Sequence, residues 1–308
     1  MSPAHPDVSR VLVTGARGFV GAPATEALAA AGHEVHAVGS GPPPSGRPGV
    51  TWHRTDLLDP AAVSQLLGDI APAKLLHLAW YTEHGRFWRA PENLAWVEAT
   101  LHLLRAFQAA GGTRAVLAGT CAEYDWTVSP LSERSTPLAP ATLYGSAKHA
   151  TRLVAEAWAR EVGLELAWGR IFFLYGPGEA PDRLLPSVAR ALLAGHEAPT
   201  TAGEQVRDFL HVDDVAGAFV ALLGSDVTGA VNIASGDGVA VREFVELVAE
   251  ATGRPDLLRV GAIPMRADDP PHLVADVRRL HEEVGFTPLL SLREGVEAAV
   301  DWWRPPSD

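Results

Sequence analysis

The chain has 308 residues, 47% of them hydrophobic, with a formal net charge of −12 and a single cysteine, Cys121. A chain of this size and composition supports a full hydrophobic core, which argues against disorder. The acidic balance argues against a nucleic-acid or anionic-membrane surface, because both need a basic patch. The lone cysteine excludes an internal disulfide framework, and the sequence has no apolar leader and no membrane-length apolar run. We therefore expect a cytoplasmic protein.

The first half of the chain alternates short β-rich runs with helical patterns. Strands are predicted in six runs, in chain order RVLVTG, EVHAV, VTWHR, KLLHLAW, RAVLAGT and LELAWGRIFF. Helices are predicted in FVGAPATEALAAAG, in PAAVSQLLGDI, over about 92–110 and over 144–163. Such alternation is typical of a parallel sheet with right-handed crossovers, so the expected fold class is α/β with a doubly wound sheet.

The composition changes after Tyr175, where prolines and glycines interrupt the chain. Further helices are predicted in RLLPSVARALLAG, VDDVAGAFVALLG, VREFVELVAEATG and SLREGVEAAVDWW, with only short strands such as AVNIAS between them. The sequence predicts a large domain over residues 1–175, with segments around 209–235 returning to it. A smaller C-terminal α/β lobe is predicted over 176–308.

Three glycines are spaced G-x-x-G-x-x-G between the first predicted strand and the first predicted helix. Glycine permits a tight turn, a close approach of backbone to a pyrophosphate, and close packing of helix on sheet. The helix N-terminus would then face the phosphates with free N–H groups. An ordinary glycine turn is the simpler explanation, but the strand–loop–helix position favours dinucleotide binding. The loop residues expected at the cofactor are Gly15, Arg17, Gly18, Phe19, Val20 and Gly21.

Tyr144 and Lys148 lie four residues apart in a predicted helix, which places them on one face. The chain has only one other lysine, Lys74. A phenol has a pKa of ~10, and a nearby ammonium favours the phenolate and lowers that pKa. Thr120 ends the fifth predicted strand, and ligands of parallel sheets bind beyond the carboxyl ends of the strands. The alternatives are an exposed helix pair and a turn residue, but the three side chains together predict proton-transfer chemistry beside a nicotinamide.

The chain resembles the extended short-chain dehydrogenases/reductases that act on nucleotide sugars, a group of epimerases, dehydratases and ketoreductases. The resembling stretches are TGARGFVG, DLLD (56–59), HLAW (77–80), GTCAEY (119–124), YGSAKHA (144–150), GRIFFLYGPG (169–178), VRDFLHVDDVA (206–216) and DDPPHLVADVRRL (268–280). The resemblance implies a Rossmann-type sheet with a substrate lobe, a nucleoside-diphosphate sugar as substrate and a homodimer built on the two long helices. It also implies site residues: the catalytic triad Thr120, Tyr144 and Lys148; Asp56, Leu57, Leu78 and Ala79 at the cofactor; and Thr82, Cys121, Phe173, Arg207 and Arg266 at the substrate, the two arginines holding its diphosphate.

The sequence departs from the family at several positions. In the dehydratases, Asp and Glu follow the threonine, but here Cys121 and Ala122 stand there, so dehydration lacks its acid and base. Phe173 and Trp96 stand where the family usually has asparagines, and the segment 80–88 is rich in aromatic residues. These changes predict a less hydroxylated deoxy or keto sugar, the alternative being repacking with no consequence for the substrate.

No metal site is expected. The run HVDD (211–214) is better explained by Asp213 or Asp214 as a helix N-cap, and the family that the chain resembles uses no metal. His77 is interpreted as a core or backbone-orienting histidine.

The cofactor is NAD or NADP, with NADP(H) favoured. The second predicted strand runs into Gly39 and Ser40, and no carboxylate stands there to hold a ribose diol. Arg17 and Ser40 are expected near a 2′-phosphate, because a guanidinium pairs with it. The alternative is an NAD site that holds the ribose through backbone contacts alone.

The predicted activity is NAD(P)H-dependent reduction of a nucleotide-linked 4-keto sugar. Tyr144 would donate the proton, Thr120 would polarise the oxygen, and Lys148 would hold the ribose. The first alternative is a nucleotide-sugar 4-epimerase with tightly bound NAD, which uses the same triad without net reduction. The second is a non-catalytic dinucleotide-binding regulator, against which the intact triad argues.

Overall fold

The computed structural model of the protein describes residues 9–39, 41, 48–266 and 269–305. Strands in this part of the chain are β1 (Arg10–Thr14), β2 (Glu34–Gly39), β3 (Val50–Arg54), β4 (Lys74–His77), β5 (Arg114–Thr120), β6 (Glu165–Ile171), β7 (Phe173–Tyr175), β8 (Ala198–Pro199), β9 (Val206–His211), β10 (Gly229–Ile233), β11 (Gly238–Ala240), β12 (Leu258–Arg259) and β13 (His272–Leu273). The helices are α1 (Gly21–Ala30), α2 (Pro60–Ile70), α3 (Glu92–Ala109), α4 (Leu143–Val162), α5 (Leu184–Leu193), α6 (Val212–Gly224), α7 (Val241–Thr252) and α8 (Leu292–Trp303).

The centre of the molecule is a sheet of seven strands in the order β10-β6-β5-β4-β1-β2-β3. Every neighbouring pair in it is parallel. The strand order reverses between β1 and β4, and crevices at such a switch point, outside the carboxyl ends of the strands, are where α/β sheets bind ligands.

Helices cover both faces of this large sheet. Successive side chains of a strand point to opposite faces, so each strand contributes to two cores. Val11 and Val13 of β1 pack into one core with α1 and α6. Leu12, between them in sequence, packs into a second core with α2, α3 and α4. The prediction of a doubly wound parallel α/β sheet is therefore confirmed. No helix in the described part of the chain combines the length and apolar character needed to cross a membrane.

A smaller sheet lies beside the large one and pairs β7, β9, β11 and β13. Helices α5, α7 and α8 enclose a separate core with it, around Phe244, Val248 and Val300. This second sheet begins at Phe173, directly after β6, so the end of β6 and the start of β7 join the two halves. The chain then returns to the large sheet with α6 and β10.

The start of α6 differs from the sequence-based expectation of an aspartate N-cap. The cap is His211, whose Nδ1 accepts a hydrogen bond from the Asp213 amide at 3.2 Å. Asp214 instead accepts bonds from the amides of Leu289 and Leu290. The expectation was wrong because the carboxylate is occupied by a segment distant in sequence, which a local pattern does not reveal.

Candidate active site

The glycine loop between β1 and α1 is packed against the end of β4. Gly15 has a φ of +67°, and a Cβ added there would lie 2.8 Å from the Ala79 nitrogen. A Cβ added at Gly21 would lie 2.0 Å from the Gly15 carbonyl oxygen. The loop therefore requires glycine at both positions. Val20, the N-cap residue of α1, makes no side-chain cap bond, which leaves the helix N-terminus suited to an anion.

Arg17 reaches from the glycine loop across the carboxyl end of β2. Its Cδ lies 3.4 Å from where a Cβ would stand at Gly39, and its Nη1 lies 2.1 Å from the Cβ position at Gly41. Neither position carries a carboxylate. Ser40, which was predicted to share this place, lies outside the described residues.

The other residues predicted at the cofactor lie at the ends of β3 and β4. Asp56 follows β3, and its carboxylate accepts the Leu58 amide at 3.0 Å. Leu57 packs against the second core and Leu78 against the first. The amide of Ala79 donates to the Thr14 hydroxyl oxygen at 3.4 Å.

His77 lies buried behind the glycine loop, between two threonine hydroxyls. Its Nδ1 is 2.7 Å from the Thr14 hydroxyl and its Nε2 is 3.0 Å from the Thr100 hydroxyl. Burial, with a smaller contribution from the charge of Lys148, lowers the pKa of His77 to about 3. The ring is therefore neutral and connects β1, β4 and α3.

Helix α4 carries both Tyr144 and Lys148, and its N-terminus is set by local sequence. The Thr142 hydroxyl caps the helix by accepting the Gly145 amide at 3.1 Å. A Cβ at Gly145 would lie 2.3 Å from the Ala122 carbonyl oxygen, so the helix start packs directly on the turn after β5. This contact brings Tyr144 to the end of the strand that carries Thr120.

Thr120 lies beside Tyr144, and its hydroxyl accepts a hydrogen bond from the Ala122 amide at 3.2 Å. Burial raises the pKa of the Tyr144 phenol, and the neighbouring Thr120 side chain opposes that rise only in part. This direction differs from the expected lowering by Lys148. The Lys148 ammonium is directed toward β5, where its Nζ donates to the Ala118 carbonyl.

Lys148 is only 3% exposed, and its Nζ donates to the Ala118 carbonyl at 2.8 Å. The same nitrogen lies 3.8 Å from the centre of the Trp80 ring. Burial lowers the pKa of Lys148 to about 7, although Glu123 opposes that change. Burial therefore disfavours the ammonium form of this side chain.

The turn after β5 carries Cys121, Ala122 and Glu123. Cys121 and Ala122 are buried, and burial raises the pKa of the Cys121 thiol to about 12. Glu123 points into the core and has no exposed surface. Its carboxylate accepts bonds from the Thr120 amide, the Trp168 indole and Arg170 at 2.8–3.0 Å.

An aromatic wall lies on the other side of Tyr144. The ring centre of Phe87 is 4.9 Å from that of Tyr144, and the ring centre of Trp88 is 5.8 Å from it, both edge to face. Trp126 continues the wall at 6.3 Å from Trp88. Thr82, predicted at the substrate, is exposed in the same segment after β4.

The two arginines predicted at the substrate diphosphate differ in their surroundings. Arg207 is 4% exposed, and its guanidinium donates to Asp269 at 2.5 Å and to the Pro270 carbonyl at 2.8 Å. It also lies 5.3 Å over the ring of Phe173. Arg266 is exposed. Binding a diphosphate at Arg207 would require its guanidinium to release Asp269.

The comparison with known proteins identifies the family. The model of the NAD dependent epimerase/dehydratase family matches residues 11–234. The chain belongs to this family.

The relatives of this chain differ from one another in activity. The UDP-glucose 4-epimerase of Corynebacterium glutamicum is 30% identical over 304 residues, covering 91% of each chain. The GDP-6-deoxy-D-mannose reductase of Pseudomonas aeruginosa is 28% identical, covering 96% of this chain and 97% of its own. Among solved structures, the UDP-glucose 4-epimerase of Thermus thermophilus in complex with NAD has 29% sequence identity to this chain and a TM-score of 0.84. The match covers 96% of this chain and 99% of the epimerase chain. The protein is therefore an oxidoreductase-type enzyme of an NAD-dependent nucleotide-sugar family.

The residues of this chain fit such a cofactor. A Cβ at Gly15 would clash with the backbone of Leu78 and Ala79, and one at Gly21 with that of Gly15, so the loop is held in a close turn ahead of the α1 N-terminus. Lys148 and the Thr120–Tyr144 pair stand at the adjoining strand ends. Gly15, Gly18 and the start of α1 would hold the pyrophosphate, and Lys148 would hold the nicotinamide ribose.

Two residues of this site were missed by sequence reasoning. Trp80 covers Lys148, and Asn93 accepts the Trp80 Nε1–H at 2.8 Å. Trp80 stood within the quoted stretch HLAW, and the aromatic character of the segment was the available signal. Nothing local marked Asn93, since a polar residue in the first turn of a helix is ordinarily solvated.

Proposed function

We propose that this protein reduces the 4-keto group of a nucleotide-linked sugar and draws on NADPH. When bound, the nicotinamide supplies a hydride for the carbonyl carbon. Tyr144 gives its phenolic proton to the carbonyl oxygen, so that the ketone becomes a secondary alcohol. Thr120 lies beside the phenol, and its hydroxyl would polarise the same oxygen.

The packing of Tyr144 against Phe87 and Trp88 supports this proposal. Burial raises the pKa of the phenol, which keeps it in the acid form that a reduction requires at its start. The first half-reaction of an epimerase is an oxidation, which requires the phenolate as base. The apolar rings around the phenol therefore favour its role as a proton donor.

The preference for NADP(H) is supported by Arg17. Its side chain lies across the end of β2, where Gly39 and Gly41 offer no carboxylate to repel a 2′-phosphate. A guanidinium is well suited to pair with that group. An exchangeable NADPH also suits an enzyme that consumes one reducing equivalent per turnover.

The substrate side supports a keto, deoxy sugar. Cys121 and Ala122 provide no acid and base for the removal of water, and Phe87 and Trp88 provide an apolar surface beside Tyr144. Arg266, with Arg207 if it releases Asp269, would hold the diphosphate through charge-assisted bonds.

We also propose a homodimer that forms through α3 and α4. These helices pack on each other, and Leu94, Leu153 and Val154 on them are 50–58% exposed. Exposed apolar side chains on helices that pack together are compatible with a protein interface. Sedimentation equilibrium of wild type and of Leu153→Glu tests this, with a monomeric variant expected.

The test of the reaction uses the purified protein with dTDP-, UDP- and GDP-linked 4-keto-6-deoxyhexoses and NADPH. We expect stoichiometric loss of NADPH absorbance with one of these substrates, and weaker use of NADH. Activity without net cofactor loss on a 4-hydroxy sugar, or NAD retained through purification, would instead identify a 4-epimerase. The similarity to the Corynebacterium glutamicum epimerase makes that the second candidate.

A further inference from the structure

The indole ring of Trp80 packs over the end of the Lys148 side chain. The Lys148 Nζ is 3.8 Å from the centre of this indole and 5.9 Å from that of Trp168, and its one hydrogen bond among the described residues goes to the Ala118 carbonyl. Trp80 is 9% exposed. The ammonium is thus held by one backbone oxygen and one aromatic face.

The indole itself is fixed by Asn93 of α3. The Trp80 Nε1–H donates to the Asn93 Oδ1 at 2.8 Å. The Asn93 amide nitrogen donates to the carbonyls of Phe87 and Ala90, at 2.8 and 2.9 Å, and the residue has no exposed surface. Every polar atom of the Asn93 side chain therefore serves to hold Trp80 and the segment 87–90 together.

That segment continues to Tyr144. The Trp88 carbonyl accepts the Tyr144 amide at 3.2 Å, and the rings of Phe87 and Trp88 contact the phenol. A continuous set of contacts therefore joins the two proposed catalytic side chains of α4 through Trp80 and Asn93, outside the helix that carries them.

We propose that Trp80 is a positioning residue for Lys148: its ring face holds the ammonium at the ends of β4 and β5, and its bond to Asn93 fixes that ring. This inference rests on the proposed function in taking Lys148 as the residue that holds the cofactor. It goes beyond that function by making the charge of Lys148 depend on a residue outside the triad.

The groups that face Lys148 explain how Trp80 controls its charge. Glu123 of the turn after β5 acts to keep the ammonium, and neutral His77 of β4 contributes no positive charge. The Trp80 ring has two opposing effects: it excludes water, which disfavours the ammonium, and its π face attracts the ammonium. Replacements that separate these effects should move the pKa of Lys148 in opposite directions.

The experiment is a pH titration by NMR of protein labelled with 13Cε-lysine. The chain has only two lysines, so the spectrum has two signals, which Lys74→Arg and Lys148→Arg assign. We expect the Lys148 midpoint near 7 in the wild type. Trp80→Phe keeps a π face and should leave it within about half a pH unit. Trp80→Leu excludes water without a π face and should lower it by about half to one unit. Trp80→Ala admits water and should raise it by at least about one unit.

Trp302→Leu and Trp302→Ala are matched controls, because Trp302 is half exposed on α8, and both should leave the Lys148 signal unchanged. If Trp80→Leu titrates like the wild type, the ring only fills space and the proposal is overturned. If Trp80→Ala does not fold, the comparison of Leu with Phe decides alone. The titration requires neither cofactor nor substrate, so a failure to reduce any keto sugar would contradict the proposed function and leave this result standing.

Calorimetry supplies the second measurement. We expect Trp80→Leu to bind NADPH roughly 2- to 5-fold more weakly than Trp80→Phe at pH 7, because less of its Lys148 is charged. The two affinities should converge below the lower midpoint, where both variants carry the ammonium. A constant ratio across pH would show a packing effect and overturn the proposal.

Discussion

The two halves of the candidate site, one at the ends of β1 and β2 and the other at the ends of β4 and β5, are built differently. The first is a continuous stretch, Gly15 to Gly21, in which glycine backbone makes the shape. The second collects side chains from four separate segments around Lys148, Glu123, Trp80 and Asn93. A backbone site is determined by its own sequence, whereas a side-chain site depends on the whole fold that brings its parts together.

The second half also buries two ionisable side chains, Glu123 and Lys148, which differ in the number of their polar partners. Glu123 has no exposed surface but accepts three hydrogen bonds and pairs with Arg170 at 3.0 Å. Lys148 has one carbonyl and one ring, and its pKa falls to about 7. A buried charge is stabilised by ion pairs and hydrogen bonds, and the neutral form is favoured where such partners are few.

The largest effect is expected from Tyr144→Phe, which removes only a hydroxyl. Turnover should fall by ~10²–10⁴-fold, because this is the range that general acid–base groups contribute. Cofactor affinity and the midpoint of thermal unfolding should stay near wild type, as measured by calorimetry and circular dichroism. Tyr175→Phe, in the smaller sheet, is the control and should keep its activity. Near-normal turnover of Tyr144→Phe would remove the phenol from the proposed mechanism.

Glu123→Gln tests the paired charge in the same half of the site. The neutral amide would leave the Arg170 guanidinium buried without a counter-charge, and breaking such a pair costs ~3–5 kcal/mol in the free energy of unfolding. Urea denaturation should show this loss. Glu156→Gln is the control: it removes a partly exposed partner of Arg152 and should cost about 1 kcal/mol or less. Equal effects of the two changes would show that the buried pair is worth no more than the partly exposed one.

The contrast between the halves explains which features could be predicted from sequence. The strand, glycine loop and helix of the first half are contiguous, so their spacing alone indicated a dinucleotide site. The long helices were also predicted within a residue or two, at 92–110 and 144–163 against Glu92–Ala109 and Leu143–Val162.

The contacts of the second half could not be predicted, because they join residues distant along the chain. Trp80 donates a hydrogen bond to Asn93, thirteen residues away in sequence, and Arg170 donates one to Glu123, 47 residues away. The same reason explains the wrong N-cap of α6, where Asp214 bonds to amides 75 and 76 residues away. The direction of the Tyr144 pKa depended on burial, which no spacing of Tyr and Lys reveals.

Gly21→Ala tests the backbone half, with a smaller expected effect. The added Cβ would lie 2.0 Å from the Gly15 carbonyl oxygen, so the start of α1 must move away from the loop. Cofactor affinity should fall by at least ~10-fold, because displaced amides no longer converge on the pyrophosphate. Gly68→Ala in α2 is the control, since its added methyl meets no atom within 4 Å. That change should leave affinity unchanged and stabilise the helix by up to ~1 kcal/mol. If Gly21→Ala binds NADPH normally, the glycine loop is not the phosphate site.

The smallest effect is expected from Lys148→Met, and it is a change in the free energy of unfolding per pH unit. The substitution replaces the ammonium with an apolar side chain of similar length. In the unfolded chain a lysine has a pKa of ~10.4, whereas the folded value is about 7. Between these two values the unfolded state binds more protons, so wild-type stability gains up to ~1.4 kcal/mol per pH unit from this residue as the pH rises. The methionine variant lacks that contribution. Its stability relative to wild type should therefore be highest at and below pH 7 and should decline toward pH 10, as measured by urea denaturation at each pH. A difference that stays constant over this range would show that Lys148 is charged throughout, and the two buried ions of the site would then behave alike.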